Sequence, residues 1–301
     1  MTIDRDFVGY GRQAPTAPWP DGKKLAVSLV VNYEEGSEKS LLDGDPEQER
    51  GTEWGQSPVP AGTRDLAMET MFEYGSRVGV WRIMDLLARH GTPATFYAAA
   101  RALERNPGLA RAVVDEGHEI CSHGLRWEEV FRLSREEERA HIAEAITSIE
   151  RTSGQRPVGW YCRYGPSVHT RELLVEEGGF LYDSDAYNDD VPYFTTVGGR
   201  EQLVIPYTAD VNDMQYWMGT MTTADEFDAY LRESFDVLRA EAQTHPKMMS
   251  VGLHCRIIGR PGRIGGLDRF LSYAASFDDV WVTTRAEIAR WWHARHAEGA
   301  V

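Results

Sequence analysis

Side chains that can transfer protons follow apolar segments at distant points of the chain. Glu34 and Glu35 come shortly after LAVSLVV, His123 follows EICS, and His254 follows MSVGL. A carboxylate can remove a proton from water, and an imidazole can return one to a leaving nitrogen. If the fold brings them together, these residues are suited to general acid/base hydrolysis of an amide.

Arginines and aspartates follow other segments of the same kind. Arg163 comes after VGWYC, Arg256 lies two positions beyond His254, and Asp183 and Asp185 follow FLY. A guanidinium can orient a carboxylate or stabilise an oxyanion. Both aspartates have the simpler alternative of capping the next turn.

Other reactive residue types have ordinary structural interpretations. The three cysteines, an odd number without a CxxC pair, do not form a disulfide framework, and we interpret them as small buried strand residues. The remaining histidines fall on predicted helices or turns, where packing or solvation is the usual role; they are His90, His118, His141, His169, His245, His293 and His296.

Apolar segments alternate with helical patterns along the whole chain. Ser134-x-x-Glu137 and Thr223-x-x-Glu226 are capping boxes, and each precedes a stripe of apolar residues at helical spacing. This alternation predicts an α/β fold in which parallel strands and outer helices form a barrel, with the reactive groups at the carboxyl ends of the strands. The predicted strands are 25–32, 94–99, 119–123, 158–162, 180–184, 202–207, 249–255 and 279–284.

Two stretches do not follow the alternation. Residues 1–24 are predicted to form an extended arm, and residues 36–76 a long connection rich in glycine, proline and acidic residues. A connection of that length is usually functional or part of an interface. We therefore predict a single domain over 1–301 that carries an arm and an inserted connection.

The composition excludes several functions. The 32 basic and 47 acidic side chains of the 301 residues give a net charge of −15, which disfavours nucleic acids and anionic membranes as partners. No apolar stretch is long enough to cross a bilayer, and the first residues do not resemble a secretion signal. These features predict a cytoplasmic protein that acts on a small molecule.

Five segments, in this order, resemble the motifs of the polysaccharide deacetylase (NodB-homology) superfamily. They are NYEE at 32–35, SHGLRW at 122–127, RYGP at 163–166, DSD at 183–185 and LHCRIIGRPGR at 253–263. The resemblance covers most of the chain and implies a distorted (β/α) barrel. In the sugar deacetylases of this superfamily one aspartate is the base, while a second aspartate and two histidines hold a divalent metal.

This chain departs from that pattern at the metal position. Glutamates replace both aspartates, and Trp127 stands where the second histidine is expected. Only Glu35 and His123 remain as ligands, too few for a tight zinc site. We therefore expect no cofactor, and leave open a weakly bound divalent metal such as zinc.

The departures, together with RDFVGYGR, YGSRVGVWR and PYTADVNDM, resemble the cofactor-independent allantoinase branch of the superfamily. That resemblance implies hydrolysis of the cyclic amide of allantoin to allantoate, in purine catabolism, by a homotetramer. Other cyclic imides or hydantoins remain alternative substrates.

The resemblance and the chemistry together give a hypothetical mechanism. Glu34 or Glu35 activates water, His254 protonates the ring nitrogen, and His123 with Arg163 or a backbone N–H stabilises the oxyanion. Further side chains are predicted to contact the substrate: Tyr33, Trp127, Trp160, Asp183, Asp185, Asn212, Asp213 and Arg256.

Two other functions compete with this hypothesis. A metal-dependent deacetylase of N-acetylated sugars would need an export signal and a complete set of metal ligands. A catalytically inactive barrel that serves as an oligomeric binding protein would have no reason to retain Glu34, Glu35, His123, Arg163 and His254 together at the strand ends.

Overall fold

The computed structural model describes residues 5–52 and 55–301. Its strands are β1 (Leu25–Tyr33), β2 (Gly51–Thr52), β3 (Gly55–Gln56), β4 (Thr95–Ala98), β5 (Glu119–Ser122), β6 (Gly159–Trp160), β7 (Tyr182–Asp183), β8 (Tyr193–Val197), β9 (Arg200–Val204), β10 (Lys247–His254) and β11 (Val280–Val282). The main sheet has the strand order β10-β1-β4-β5-β6-β7-β9-β8, with β11 beside β1, and every pairing is parallel except that of β8 with β9. A two-stranded hairpin, β2 with β3, is separate.

Helices surround this curled sheet, so the predicted α/β architecture of a distorted barrel is confirmed. Both predicted capping boxes are present. No helix in the described part of the chain is long and apolar enough to cross a membrane. The helices are α1 (Leu66–Tyr74), α2 (Val80–His90), α3 (Ala100–Arg105), α4 (Pro107–Asp115), α5 (Arg135–Ser153), α6 (Thr170–Glu177), α7 (Met214–Trp217), α8 (Ala224–Glu241), α9 (Ile264–Ala274) and α10 (Arg285–Ala297).

All eight predicted strands overlap strands of the sheet, whereas β8 was not predicted. β8 is an antiparallel edge strand with partly exposed residues, so it lacks the continuous apolar run that marks the buried parallel strands.

The central strand β1 faces two cores. Its residues Leu25, Val27, Leu29 and Val31 join the core under the helices, and the alternate residues Ala26 and Val30 join the barrel interior. Because side chains alternate along a strand, Asn32 and Glu34 continue the interior series, while Tyr33 points to the helices. This alternation decides which residues of the NYEE segment reach the site.

The predicted connection 36–76 contains the hairpin β2–β3 and ends in a helix rather than a loop. Asp65 caps α1, because its carboxylate accepts hydrogen bonds from Ala67 N and Met68 N. Helix α1 continues into a π-helical turn, Gly75–Gly79, and then into α2. A Cβ atom on Gly75 would overlap the Glu35 carboxylate, so glycine allows the helix to lie directly against that side chain.

Candidate active site

Glu34 lies at the centre of a buried polar cluster at the carboxyl end of β1. Its Oε2 accepts a hydrogen bond from Arg256 Nη1 at 2.7 Å, and its Oε1 lies 3.5 Å from His123 Nε2 and 3.7 Å from His254 Nε2. Only 2% of its surface is exposed. The structure therefore brings together Glu34, His123, His254 and Arg256, as the strand-end argument predicted.

The surrounding charges keep Glu34 ionised. Burial alone would raise the pKa of this carboxyl, but Arg256 and His254 together hold it well below its usual range. A carboxylate that is buried, ionised and adjacent to two imidazoles can accept a proton from a bound water molecule.

Glu35 has a different environment, although it is the next residue. Its Oε2 accepts the Glu34 backbone N–H at 3.1 Å, and its buried Oε1, which has no hydrogen-bond partner among the described residues, lies against Gly75. Burial raises the pKa of Glu35 to about 7; Arg256 opposes this shift and the Glu34 carboxylate reinforces it. The two carboxyl groups therefore point in different directions and have opposite pKa shifts. Glu34 is the one that faces the histidines.

His254 is oriented by Asp213. The Nδ1 atom of His254 donates a hydrogen bond to Asp213 Oδ1 at 2.6 Å, and Asp213 Oδ2 accepts from the backbone N–H groups of His254 at 2.7 Å and Ile258 at 3.1 Å. Burial lowers the pKa of His254, but Asp213 and Glu34 outweigh it, so the net shift is upward. A histidine with a raised pKa can carry the proton that a leaving nitrogen needs.

The prediction that Asp213 binds the substrate is therefore wrong, because both its carboxylate oxygens are engaged by residues 254–258. Its neighbour Asn212 is also structural. The Oδ1 of Asn212 accepts from Met214 N at 3.0 Å, at the start of α7, and its backbone bridges to Gly252.

His123 is held in place by the backbone carbonyl of Tyr161. Its Nδ1 lies 3.1 Å from the carbonyl oxygen of Tyr161, and a carbonyl only accepts, so Nδ1 carries a hydrogen. In the neutral imidazole, Nε2 then presents a lone pair to the space beside Glu34. That nitrogen can accept a hydrogen bond from a water molecule.

Arg256, rather than Arg163, is the guanidinium of the catalytic cluster. Arg163 donates through Nη2 to Glu49 at 2.6 Å and through Nη1 to the carbonyl of Trp127 at 2.8 Å. Both Nη atoms of Arg163 are thus engaged, and its predicted role at the oxyanion stays a prediction. Among the described residues the buried Nη2 of Arg256 has no hydrogen-bond partner, and neither has the buried Nε of Arg163, so each guanidinium retains a donor; that of Arg256 lies directly beside Glu34.

The ring of Trp127 lies beside the cluster, and its contact with a substrate stays a prediction. Its ring lies 3.6 Å from the Arg163 guanidinium carbon and 5.2 Å from that of Arg256, and it packs on Phe72 with 6.0 Å between ring centroids. A tryptophan at this point replaces a second ligating histidine with a packed ring.

Three residues predicted to bind the substrate have other roles. Tyr33 points to the helices and pairs with Ser76 Oγ at 2.7 Å. The Nε1 of Trp160 donates to Cys162 Sγ at 3.1 Å in the core under the helices. Asp183 is held by Arg171 Nε at 2.9 Å and Nη2 at 2.7 Å. Asp185 Oδ1 accepts from Cys162 N at 2.9 Å, while its buried Oδ2 has no hydrogen-bond partner among the described residues, so contact of Asp185 with the substrate stays a prediction.

The connection 36–76 also contributes to the site, which the sequence analysis did not assign. Glu49 anchors Arg163, Phe72 lies 4.5 Å from the Arg256 guanidinium carbon, and the Ser37 carbonyl accepts from Trp127 N at 3.1 Å. The Gly75 and Gly79 pair, four residues apart, was the available signal for a helix packed closely on the site. Glu49 has no comparable signal in its local sequence.

The residues present do not fit the divalent metal of the sugar deacetylases. The part of the chain that the structure describes has no group of three His, Cys, Asp or Glu side chains arranged to hold a metal ion. The Arg256 guanidinium also lies directly against the Glu34 carboxylate, where it opposes a second cation.

We expect Asp213→Asn to lower the pKa of His254, because the substitution removes the negative charge that stabilises the imidazolium. The His254 imidazole signal, followed against pH by NMR, measures the shift directly. Asp225→Asn, at an exposed residue that pairs with Arg269, serves as the control. An unchanged His254 pKa in Asp213→Asn would contradict the orienting role.

Comparisons with known proteins agree with the fold. A family profile described as polysaccharide deacetylase matches residues 62–180. A crystal structure of Puue allantoinase is 46% identical, with a TM-score of 0.93, and the match covers 98% of this chain and 99% of that one. A probable polysaccharide deacetylase from Pseudomonas aeruginosa PAO1 is 47% identical, with a TM-score of 0.93 and coverage of 97% and 98%.

A relative that is similar over nearly its full length is also described as a polysaccharide deacetylase. The putative polysaccharide deacetylase of Schizosaccharomyces pombe is 41% identical, across 98% of this chain and 99% of the relative. A peptidoglycan deacetylase of Helicobacter pylori is 28% identical over about half of each chain, 52% and 52%. The chain thus belongs to the polysaccharide deacetylase family, a family of hydrolases that act on C–N bonds.

Proposed function

We propose that this protein hydrolyses a C–N bond in a small cyclic amide, with allantoin, opened to allantoate, as the preferred substrate. The observation that carries the proposal is the geometry of Glu34, an ionised carboxylate that faces the Nε2 atoms of two histidines at 3.5 and 3.7 Å. The structural neighbour described as an allantoinase, at 46% identity over 98% of this chain, supports the choice of substrate.

The proposed reaction begins with a water molecule between Glu34 and His123. His123 Nε2 accepts one hydrogen bond from the water, and Glu34 removes its proton as the oxygen attacks the amide carbonyl. Arg256 Nη2 donates to the developing oxyanion. We therefore assign Arg256 the role that the sequence analysis gave to His123 with Arg163 or a backbone N–H.

Collapse of the tetrahedral intermediate needs a proton on the leaving nitrogen. His254 supplies it from Nε2, and Asp213 stabilises the imidazolium before transfer. Glu34 then passes the proton taken from water to the now neutral His254, whose Nε2 lies 3.7 Å away, which restores both groups for the next turnover. The base and the acid thus have opposite pKa shifts, so that Glu34 can be ionised while His254 is protonated.

A metal-free reaction is chemically reasonable for this class of substrate. The carbonyl groups of hydantoins and imides are more electrophilic than that of an acetamide. The hydrogen bonds of Arg256 and His254 would then supply the several kcal/mol that a Lewis acid contributes elsewhere. We propose no resident cofactor.

Deacetylation of an N-acetylated sugar is the second candidate, because several relatives carry that description. Purified protein should be treated with a chelator, dialysed and tested on allantoin, hydantoin, succinimide and N-acetylglucosamine oligomers. We expect allantoin to be consumed and allantoate to form without added metal. Acetate release from the oligomers, or hydrolysis only after metal is restored, would refute the proposal.

The two adjacent glutamates should respond differently to substitution. We expect Glu34→Gln to lower kcat by about 100-fold or more, since it removes the proton acceptor. Glu35→Gln should retain kcat within about tenfold, because Glu35 faces Gly75 rather than the histidines, so losing its charge removes no group from the reaction. Steady-state kinetics on allantoin, with circular dichroism to verify folding, provides the measurement. The reverse ranking would make Glu35 the base.

Assembly and compartment stay predictions. We propose a homotetramer in the cytoplasm, on the resemblance and on the composition described above. Sedimentation velocity of the purified protein measures the first of these directly.

A further inference from the structure

His141 is a buried histidine outside the proposed catalytic cluster, on α5. Its position on a predicted helix favoured an ordinary packing role. In the structure its Nε2 accepts a hydrogen bond from the backbone N–H of Leu125 at 2.9 Å, and its Nδ1 lies 3.1 Å from Glu128 Oε1. Both partners belong to the loop that follows His123.

These two contacts define the state of the imidazole. A backbone N–H only donates, so Nε2 must be unprotonated, and the hydrogen of the neutral ring then lies on Nδ1 and is donated to Glu128. The hydrogen bond from His141 also holds the pKa of Glu128 below its usual value. Only the neutral ring can make both hydrogen bonds at once.

The loop 124–128 is held between two helices. The carbonyl groups of Gly124 and Leu125 accept hydrogen bonds from the N–H groups of Ala100 at 3.0 Å and Arg101 at 2.9 Å, at the start of α3. His141 holds the other side. Gly124 has φ +84°, and a Cβ atom there would lie 2.6 Å from His141 Nε2, so the ring sits directly against the loop backbone.

The position of this loop matters because of what it carries. It begins immediately after His123, whose Nε2 lies 3.5 Å from Glu34, and it includes Trp127, whose ring packs near Arg256. A displacement of about 1 Å in a catalytic group can reduce a rate by as much as 100-fold.

We propose that His141 is a positioning residue for the reaction, which places His123 and Trp127 through the backbone of loop 124–128. Its effect on turnover rests on the proposed function. Its effect on the loop does not, and the two can be measured separately.

The kinetic test compares His141→Leu with His141→Gln. Leucine removes both hydrogen bonds, whereas the glutamine amide offers an oxygen to Leu125 N–H and an N–H to Glu128. We expect kcat to fall between about 10-fold and 100-fold in His141→Leu and to recover to within about threefold in His141→Gln, with KM changing less than kcat. His245→Leu is the matched control, because the ring of His245 forms an exposed hydrogen bond with the neighbouring Thr244 side chain.

The second measurement needs no substrate. Hydrogen exchange of the Leu125 amide, read by NMR or by mass spectrometry of the 123–128 peptide, should be slow in the wild type and in His141→Gln and fast in His141→Leu. Slow exchange in His141→Leu would overturn the proposal whatever the activity. Equal loss of kcat in both variants, with Leu125 still protected in His141→Gln, would also overturn it. If the wild type turns over none of the substrates, the exchange result alone decides.

Discussion

The ion pair between Glu34 and Arg256 is the constraint on which the rest of the site depends. A carboxylate with 2% exposure would be protonated or expelled from the interior without a compensating charge. Arg256 supplies that charge at 2.7 Å, and His254 adds to it. The same guanidinium opposes a second cation beside Glu34, in keeping with our proposal that the site needs no resident metal ion.

The neighbours of this pair divide the chemistry among groups with distinct environments. Asp213 makes His254 a better acid, the Tyr161 carbonyl fixes the ring of His123, and the Gly75 turn encloses Glu35 as a carboxyl whose pKa is about 7. Each supporting residue acts through a few short hydrogen bonds or contacts. The orientation of these side chains therefore matters as much as their charge. The connection 36–76 contributes to the site through Glu49 and Phe72.

The sequence predicted the fold and the central residues because both depend on local patterns. The alternation of strands and helices gave the barrel, and the strand ends gave Glu34, His123 and His254. The alternation of side chains along β1 also predicts that Tyr33 points to the helices and away from the site. The choice of Arg256 over Arg163, and the use of Asp213 on His254, depend on contacts between segments 40 or more residues apart, which no local pattern encodes.

The pH dependence of kcat/KM for allantoin tests the central claim most directly, because the two adjacent carboxyl groups titrate in different ranges. A base must be deprotonated and an acid protonated, so activity falls below the pKa of the base and above that of the acid. With Glu34 as base and His254 as acid, we predict an acid limb below pH 4.5 and an alkaline limb above pH 6.5, the ordinary values of those groups. An acid limb near pH 7, the pKa of Glu35, would contradict the account.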